Sequence, residues 1–499
     1  MVVPRLSRLE QRVVETVRNA LTLGTTLKQI AAAIDEDVEK VADCMQNLSS
    51  RGKVVRMGRG LWVLKQYERI ENDPEFISPA EYANRFAALH NLNISEYHRG
   101  PITFSENHNM EKPIQRWAPY VQGFSASFVD EMLQRFSISP GQRVLDPFAG
   151  SGTVLVAAKM KGINAIGVDL VPLMTFMART KTEWDLNVEE IRTAFRGLNW
   201  AQNPTIQSPT FLRMWESHFN KDVLRNLLII KQSIQDVENP RIKNLFRLAL
   251  ASVLVDNSNL KRSPCLGYAK EKNVAADAPF TTFSKKIDDM IQDLMYVKGR
   301  AHGSVNVITG DSRTIRYEPE SIDIAITSPP YVNGLDYIIN YKIEMAWLDM
   351  VDSYDDLSKL KDDMVACDNV SRVIIRDFSE REDTYRDEWL DDITNRIFNR
   401  IESKAGYRRR DMHNVVRKYF DDVYHVFRNV YEGLKKEGRF AIVIGDSLIA
   451  GVYIPADLIL ARVGKSIGFK IESVEVARSR RSGQRKSFKL RESIVILLK

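Results

Sequence analysis

Two short stretches of the chain concentrate residue types that can do chemistry. The first is DPFAGSGT at 146–153, followed by an acid, Asp169. Gly150 and Gly152 let the backbone pass close under a bound ligand, and an acid ending the next strand can accept hydrogen bonds from both hydroxyls of a ribose. The second is SPPY at 328–331. Its successive prolines, Pro329 and Pro330, restrict the backbone and hold carbonyls in a fixed outward direction. The Ser328 hydroxyl and a proline carbonyl can accept hydrogen bonds from an amine, orienting it and favouring the charge that builds on its nitrogen. The Tyr331 ring can stack on a flat heterocycle. No covalent intermediate with the chain is needed.

These residues need elements to hold them. A turn at Pro140-Gly141 and a short buried strand at 143–145 lead into the glycine loop. A helix with Val154, Leu155, Ala157 and Ala158 follows, then a stop at Gly162 and a strand at 165–168 that ends in Asp169. Strand, glycine loop, helix, strand and acid form one unit of an open α/β sheet. A strand at 322–326 carries SPPY at its carboxyl end, where such a sheet places its active site. Asp311 follows another strand, at 305–308. The chain closes with a long helix at 412–433, a strand at 439–444, a helix at 456–467 and strands at 469–477 and 492–498.

The loop at 146–153 resembles the DPFxGxGT form of motif I in DNA amino-methyltransferases, and TSPPY resembles motif IV of the same family in its cytosine-N4 form. Adenine-N6 members usually carry aspartate or asparagine in place of the serine. The resemblance covers roughly 117–169 and 305–499 and implies a Rossmann-like, mixed seven-stranded sheet binding S-adenosylmethionine, with S-adenosylhomocysteine as product. It implies that Asp146, Pro147, Phe148, Gly150, Gly152 and Thr153 wrap the methionine part of the cofactor, that Asp169 holds the ribose, and that Asp311 lies near the adenine. It also implies that Ser328, Pro329, Pro330 and Tyr331 act on the target amine, with Tyr331 stacked on a base extruded from duplex DNA. Phe124 and Ser125, before an amphipathic helix using Phe128, Met132, Leu133 and Phe136, stand where the family keeps motif X, whose loop touches the cofactor carboxylate. A plain helix-capping segment explains them nearly as well.

The rest of the chain frames these motifs. Residues 1–66 read as a winged helix-turn-helix-like domain: three helices, then two short strands around a Gly58–Gly60 turn. The third helix is acidic at its start (Asp35, Glu36, Asp37, Glu39), and the wing is basic (Arg51, Lys53, Arg56, Arg59, Lys65), so DNA contact through the wing and a docking role both stay open. Residues 67–112 read as a linker. The methyltransferase core falls in 113–185, 301–351, which holds SPPY, and 412–499. Between these lie a helical insertion at 186–300, a candidate target-recognition region, and a charged helical one at 352–411. Within the first, Lys261, Arg262, Tyr268 and Lys270 are candidate contacts, though ordinary surface roles suit them too. Tyr341, Glu344 and Trp347, after SPPY, are expected to pack the site.

Composition sets the outer bounds. With 499 residues, 44% hydrophobic and 27% charged, the chain suits two or three globular domains. No apolar run spans a bilayer and the start does not read as a signal peptide, so a cytoplasmic setting away from membranes is expected. The net charge of +6 leans toward a polyanionic partner. Cys44, Cys265 and Cys367 lie too far apart for a disulfide framework or a metal cluster, and no metal ligand set is expected. The expected partner is double-stranded DNA with a flipped base, in a restriction–modification or defence setting that could add cognate proteins. Adenine-N6 methylation of DNA, N-methylation of an RNA base and a non-catalytic DNA-binding regulator are the competing readings. Cytosine-C5 chemistry would need a thiolate. Pro264-Cys265 precedes Asp311 rather than following the fourth strand, so Cys265 is expected to be buried or incidental.

Overall fold

The computed structural model describes residues 7–19, 25–51, 53–56, 61–64, 76–98, 109–120, 123–262, 265–300, 302–367, 370–379, 381–382, 384–402, 409–481 and 488–499. In chain order the strands are β1 (Val54–Arg56), β2 (Trp62–Leu64), β3 (Ser95–Glu96), β4 (Arg143–Asp146), β5 (Asn164–Asp169), β6 (Leu260–Arg262), β7 (Leu266–Tyr268), β8 (Val305–Thr309), β9 (Ile322–Thr327), β10 (Leu434–Gly445), β11 (Ser447–Ile449), β12 (Val452–Ile454), β13 (Lys470–Arg481) and β14 (Lys489–Leu498).

The main sheet runs β3-β13-β14-β10-β9-β4-β5-β8. From β8 to β10 neighbours are parallel, and β14 enters antiparallel between β10 and β13. This is the mixed Rossmann-like sheet expected, with eight strands instead of seven: β3 adds two residues, pairing Ser95 with Glu475 and Glu96 with Val476. Both faces are covered, and the strands show why. On β10, Phe440, Ile442 and Ile444 share a core with the helices Met412–Gly433 and Ala456–Ile467, whereas Ala441 and Val443 face the helices Ala126–Arg135 and Thr153–Met160. Successive side chains point to opposite faces, so apolar runs without polar alternation are what a doubly covered sheet requires.

The region read as a linker holds an ordered element. The helix Pro79–His90, capped by Ser78, buries Tyr82 and Phe86 against the core, with Tyr82 5.3 Å from Trp389 and 5.9 Å from Tyr453. Two aromatics four residues apart on one helical face are too little periodicity to read alone. A separate core forms around Lys221–Gln235, Pro240–Val253 and Ala278–Val297. These helices pack with Leu173 and Met177 of Pro172–Thr182 and with Ile343 and Trp347 after SPPY. The helices of 221–297 are thus built onto the β5–β8 side of the sheet and the segment behind SPPY.

At the front, the helices Arg8–Asn19, Leu27–Ile34 and Val38–Ser50 enclose Val13, Ile30, Val41 and Leu48 beside the β1–β2 hairpin. Thr26 and Gln29 form a capping box. The acids at the start of the third helix have local work: Asp35 ends the second helix with φ 50°, and Asp37 caps the third. Arg51, counted with the basic wing, is paired inward with Glu10 at 2.6 Å. The Gly58–Gly60 turn, Arg59 and Lys65 lie outside the described residues. Among the described residues no helix is long and apolar enough to cross a membrane.

Candidate active site

β4 delivers Asp146 to the start of the glycine loop, where it is almost fully buried. Its Oδ1 accepts from the Phe148 amide at 3.0 Å and from the Thr327 hydroxyl at 2.7 Å, so one carboxyl joins the glycine loop to the strand that carries SPPY. Burial pushes its pKa up to about 7 against the pull of those two donors. Gly150 and Gly152 both have positive φ, 49° and 85°. The Gly150 amide donates to Asp169 Oδ2 at 2.9 Å, and a Cβ at Gly150 would stand 2.7 Å from the Tyr120 hydroxyl. Gly152 begins the helix Thr153–Met160, and a Cβ there would meet Ala178 Cβ at 3.0 Å. Thr153 is buried as the first helical residue.

Asp169 ends β5. Its other oxygen accepts from the Val171 amide at 2.9 Å, and burial lifts its pKa to about 6 despite the amides that favour the anion. Asp311 follows β8 and is gripped by Arg313, whose Nε lies 3.0 Å from both carboxylate oxygens. Arg313 also reaches Asp422 at 3.0 Å and the Asp363 carbonyl at 2.6 Å, which fixes the acid and balances its charge.

These pieces surround a cleft at the carboxyl ends of β4, β5, β8 and β9, where an open sheet binds ligands. Of the expected residues, Pro147, Phe148, Asp169, Asp311, Ser328 and Pro330 line it. Asp146, Gly150, Gly152 and Thr153 lie behind the lining, as the bonds and packing that shape the loop. Pro329 is buried, and Tyr331 stands outside the cleft with its hydroxyl 2.6 Å from Glu492. Phe124 and Ser125 are not brought to the cleft. Ser125 caps Ala126–Arg135 by accepting from the Phe128 amide at 3.1 Å, and Phe124 is packed in the core, which is the capping arrangement.

Sequence reasoning missed several walls: Tyr120, Met174, Ser312, Tyr337 and Val365 also line the cleft. Tyr120 lies nearly parallel to Tyr337 and Tyr341, with centroids 6.0 and 6.1 Å away. Both Tyr120 and Tyr337 stand inside the motif neighbourhoods, but an aromatic residue carries no signal of which way the fold turns it. Tyr341 and Trp347 are buried, Tyr341 beside Tyr120 and Trp347 against Phe219. Arg262 is a structural cation rather than a surface one. It pairs with Glu344, both side chains being under a tenth exposed, and stands 4.4 Å over the Tyr341 ring. Cys265 is exposed rather than buried.

The cleft fits S-adenosylmethionine by the chemistry of its walls. It has a Phe148 ring, acids beside two strand ends, and a loop where a Cβ at Gly150 would strike the wall. The family model for DNA methylases of the N6/N4 type matches residues 60–172, a span that includes the glycine loop and Asp169 and ends before SPPY. The chain is 26% identical over 407 residues to Type II methyltransferase M.AvaI of Nostoc sp., covering 74% of this chain and 81% of that one. It is 24% identical over 488 residues to Type II methyltransferase M.BsoBI of Geobacillus stearothermophilus, covering 86% and 92%. Glycine loop, strand-end acids and an SPPY loop on one cleft agree with these matches: the chain carries a DNA-methylase match of the N6/N4 type over 60–172, is similar to Type II DNA methyltransferases over most of its length, and uses S-adenosylmethionine as its cofactor.

Proposed function

We propose that this enzyme transfers a methyl group to the exocyclic N4 amine of cytosine at specific sites in DNA, as the modification arm of a restriction–modification or defence system. The observation that carries the reading is Ser328: a hydroxyl, not a carboxylate, stands at the carboxyl end of β9 on the wall of the cofactor cleft. The names of the relatives, Type II methyltransferases, support the setting.

Bound S-adenosylmethionine supplies an electrophilic methyl group. Asp169 would accept from its ribose hydroxyls, Asp311 would lie at its adenine, and Phe148 would flank it. The Ser328 hydroxyl and a carbonyl of the proline pair would accept from the amine N–H groups, directing the nitrogen lone pair toward the cleft and stabilising the charge that grows there. A hydroxyl is a weaker acceptor than a carboxylate, so more of this work falls to the backbone carbonyl and to alignment. Tyr331 would stack on the extruded base. The inserted helices and the paired strands β6 and β7, braced by Arg262 against the segment behind SPPY, are proposed to read the flanking DNA.

Mass spectrometry of nucleosides from DNA and RNA incubated with purified protein and labelled S-adenosylmethionine tests the reading. The expected product is N4-methylcytosine in DNA. N6-methyladenine would keep the mechanism and overturn the serine argument, and label confined to RNA would overturn DNA as substrate.

A further inference from the structure

Tyr331 is held from three sides by residues that are remote in sequence. Its hydroxyl donates to Glu492 Oε1 at 2.6 Å, and the other oxygen of that carboxylate accepts from Arg478. The Arg480 guanidinium carbon lies 5.6 Å from the ring centroid. Gly445 brings bare backbone against the ring edge, since a Cβ there would stand 2.6 Å from Tyr331 Cε2. The sheet explains the convergence. Gly445 pairs with Glu492 across β10 and β14, and Glu492 pairs with Arg478 across β14 and β13. Directly opposed residues share a face, and Arg480 returns to that face two positions on. Glu492 is 3% exposed, and a buried carboxylate is costly unless paired and hydrogen-bonded. Here one oxygen is committed to a cation and the other to the Tyr331 hydroxyl.

We propose that Glu492, on the closing hairpin of the sheet, is a positioning residue for methyl transfer. It locks the Tyr331 hydroxyl so that, with Arg480 and Gly445, the ring plane is set before the target base arrives. The inference rests on the stacking role given to Tyr331 above. A side chain with two free torsions would otherwise have to be ordered at each encounter, at a cost to alignment in the transition state.

Methylation of genomic DNA with labelled S-adenosylmethionine, alongside calorimetric cofactor binding, tests it. Glu492→Ala and Tyr331→Phe should each lower kcat about tenfold, the range for one hydrogen bond to a charged group, with the Kd for S-adenosylmethionine unchanged. Because they remove the same bond, the double variant should be no slower than either single one. Glu492→Gln keeps a carbonyl acceptor for the hydroxyl and should retain most of the rate. Multiplying losses in the double variant overturn the proposal. So does a Glu492→Gln variant as slow as Glu492→Ala, because the carboxylate would then matter only through Arg478. Tyr331→Ala separates this inference from the reading beneath it. Wild-type methylation by Tyr331→Ala removes the stacking role and the positioning with it. A slow Tyr331→Ala beside fast Glu492→Ala and Tyr331→Phe removes the positioning alone.

Discussion

The glycine loop and the SPPY loop meet at one cleft, but they are held in different ways. The glycine loop is braced largely from within its own strand–loop–helix–strand unit: Asp146 to the Phe148 amide two residues on, Asp169 to the Gly150 amide nineteen residues back. The SPPY side is braced from afar. Tyr331 is bonded to a residue 161 positions away, and Asn333 accepts from Ser447, 114 positions away. The glycine-loop half therefore carries its geometry with it, whereas the SPPY half takes its geometry from β10 and the closing hairpin. Asp146 is the link between them, through Thr327. Disturbing the first half should show up in cofactor binding, and disturbing the second should show up in turnover.

Asp169→Ala gives the largest expected effect. It removes the ribose acceptor and leaves the Gly150 amide unpartnered, so cofactor affinity should fall about 100-fold or more, the scale of two hydrogen bonds to a charged group. Isothermal calorimetry reads this directly, and a loss below about tenfold would take Asp169 out of the ribose role. Gly150→Ala comes next. At φ 49° with the Tyr120 hydroxyl 2.7 Å from the new Cβ, it should destabilise the fold by about 1–3 kcal/mol in a denaturant titration. A Tyr120→Phe background, which removes the nearest clashing atom, should restore part of that.

A smaller effect comes from pH. With Asp169 lifted to about 6, a cofactor site that needs its anion should bind about tenfold more weakly at pH 5 than at pH 8, and Asp169→Asn should flatten the profile. The folded-state pKa lies above the unfolded one. This carboxyl thus favours the fold at low pH, and that contribution is lost as pH rises through about 6. Weaker binding in mild acid therefore would not be unfolding caused by this group. Ser125→Ala is the smallest, a lost helix cap of about 1 kcal/mol with cofactor affinity unchanged. A fall in affinity would bring the 124–125 segment into the glycine-loop half after all.

Much of the glycine-loop half was legible because its parts are contiguous. The glycines, the proline after Asp146 and the acid after a short apolar strand each act on near neighbours, so type and spacing carry the geometry. The strands and helices of the closing third were legible for the same reason: long apolar runs and one long amphipathic helix need no partner to be recognised. The helix at 79–90 was not, because Tyr82 and Phe86 acquire meaning only against Trp389 and Tyr453. Arg262 read as a surface cation because Glu344, its partner, stands 82 positions away.

By its sequence alone this chain determined the two reactive loops, the cofactor class they suit, and a doubly covered sheet to hold them. These follow from local backbone restrictions and from the two hydrophobic periods, which act over a few residues. Tertiary structure alone decided that Tyr120 closes over Gly150, that Arg262 braces a hairpin, and that Glu492 meets the Tyr331 hydroxyl. Such contacts depend on strand register, and a slip of one residue would turn Glu492 to the opposite face of the sheet.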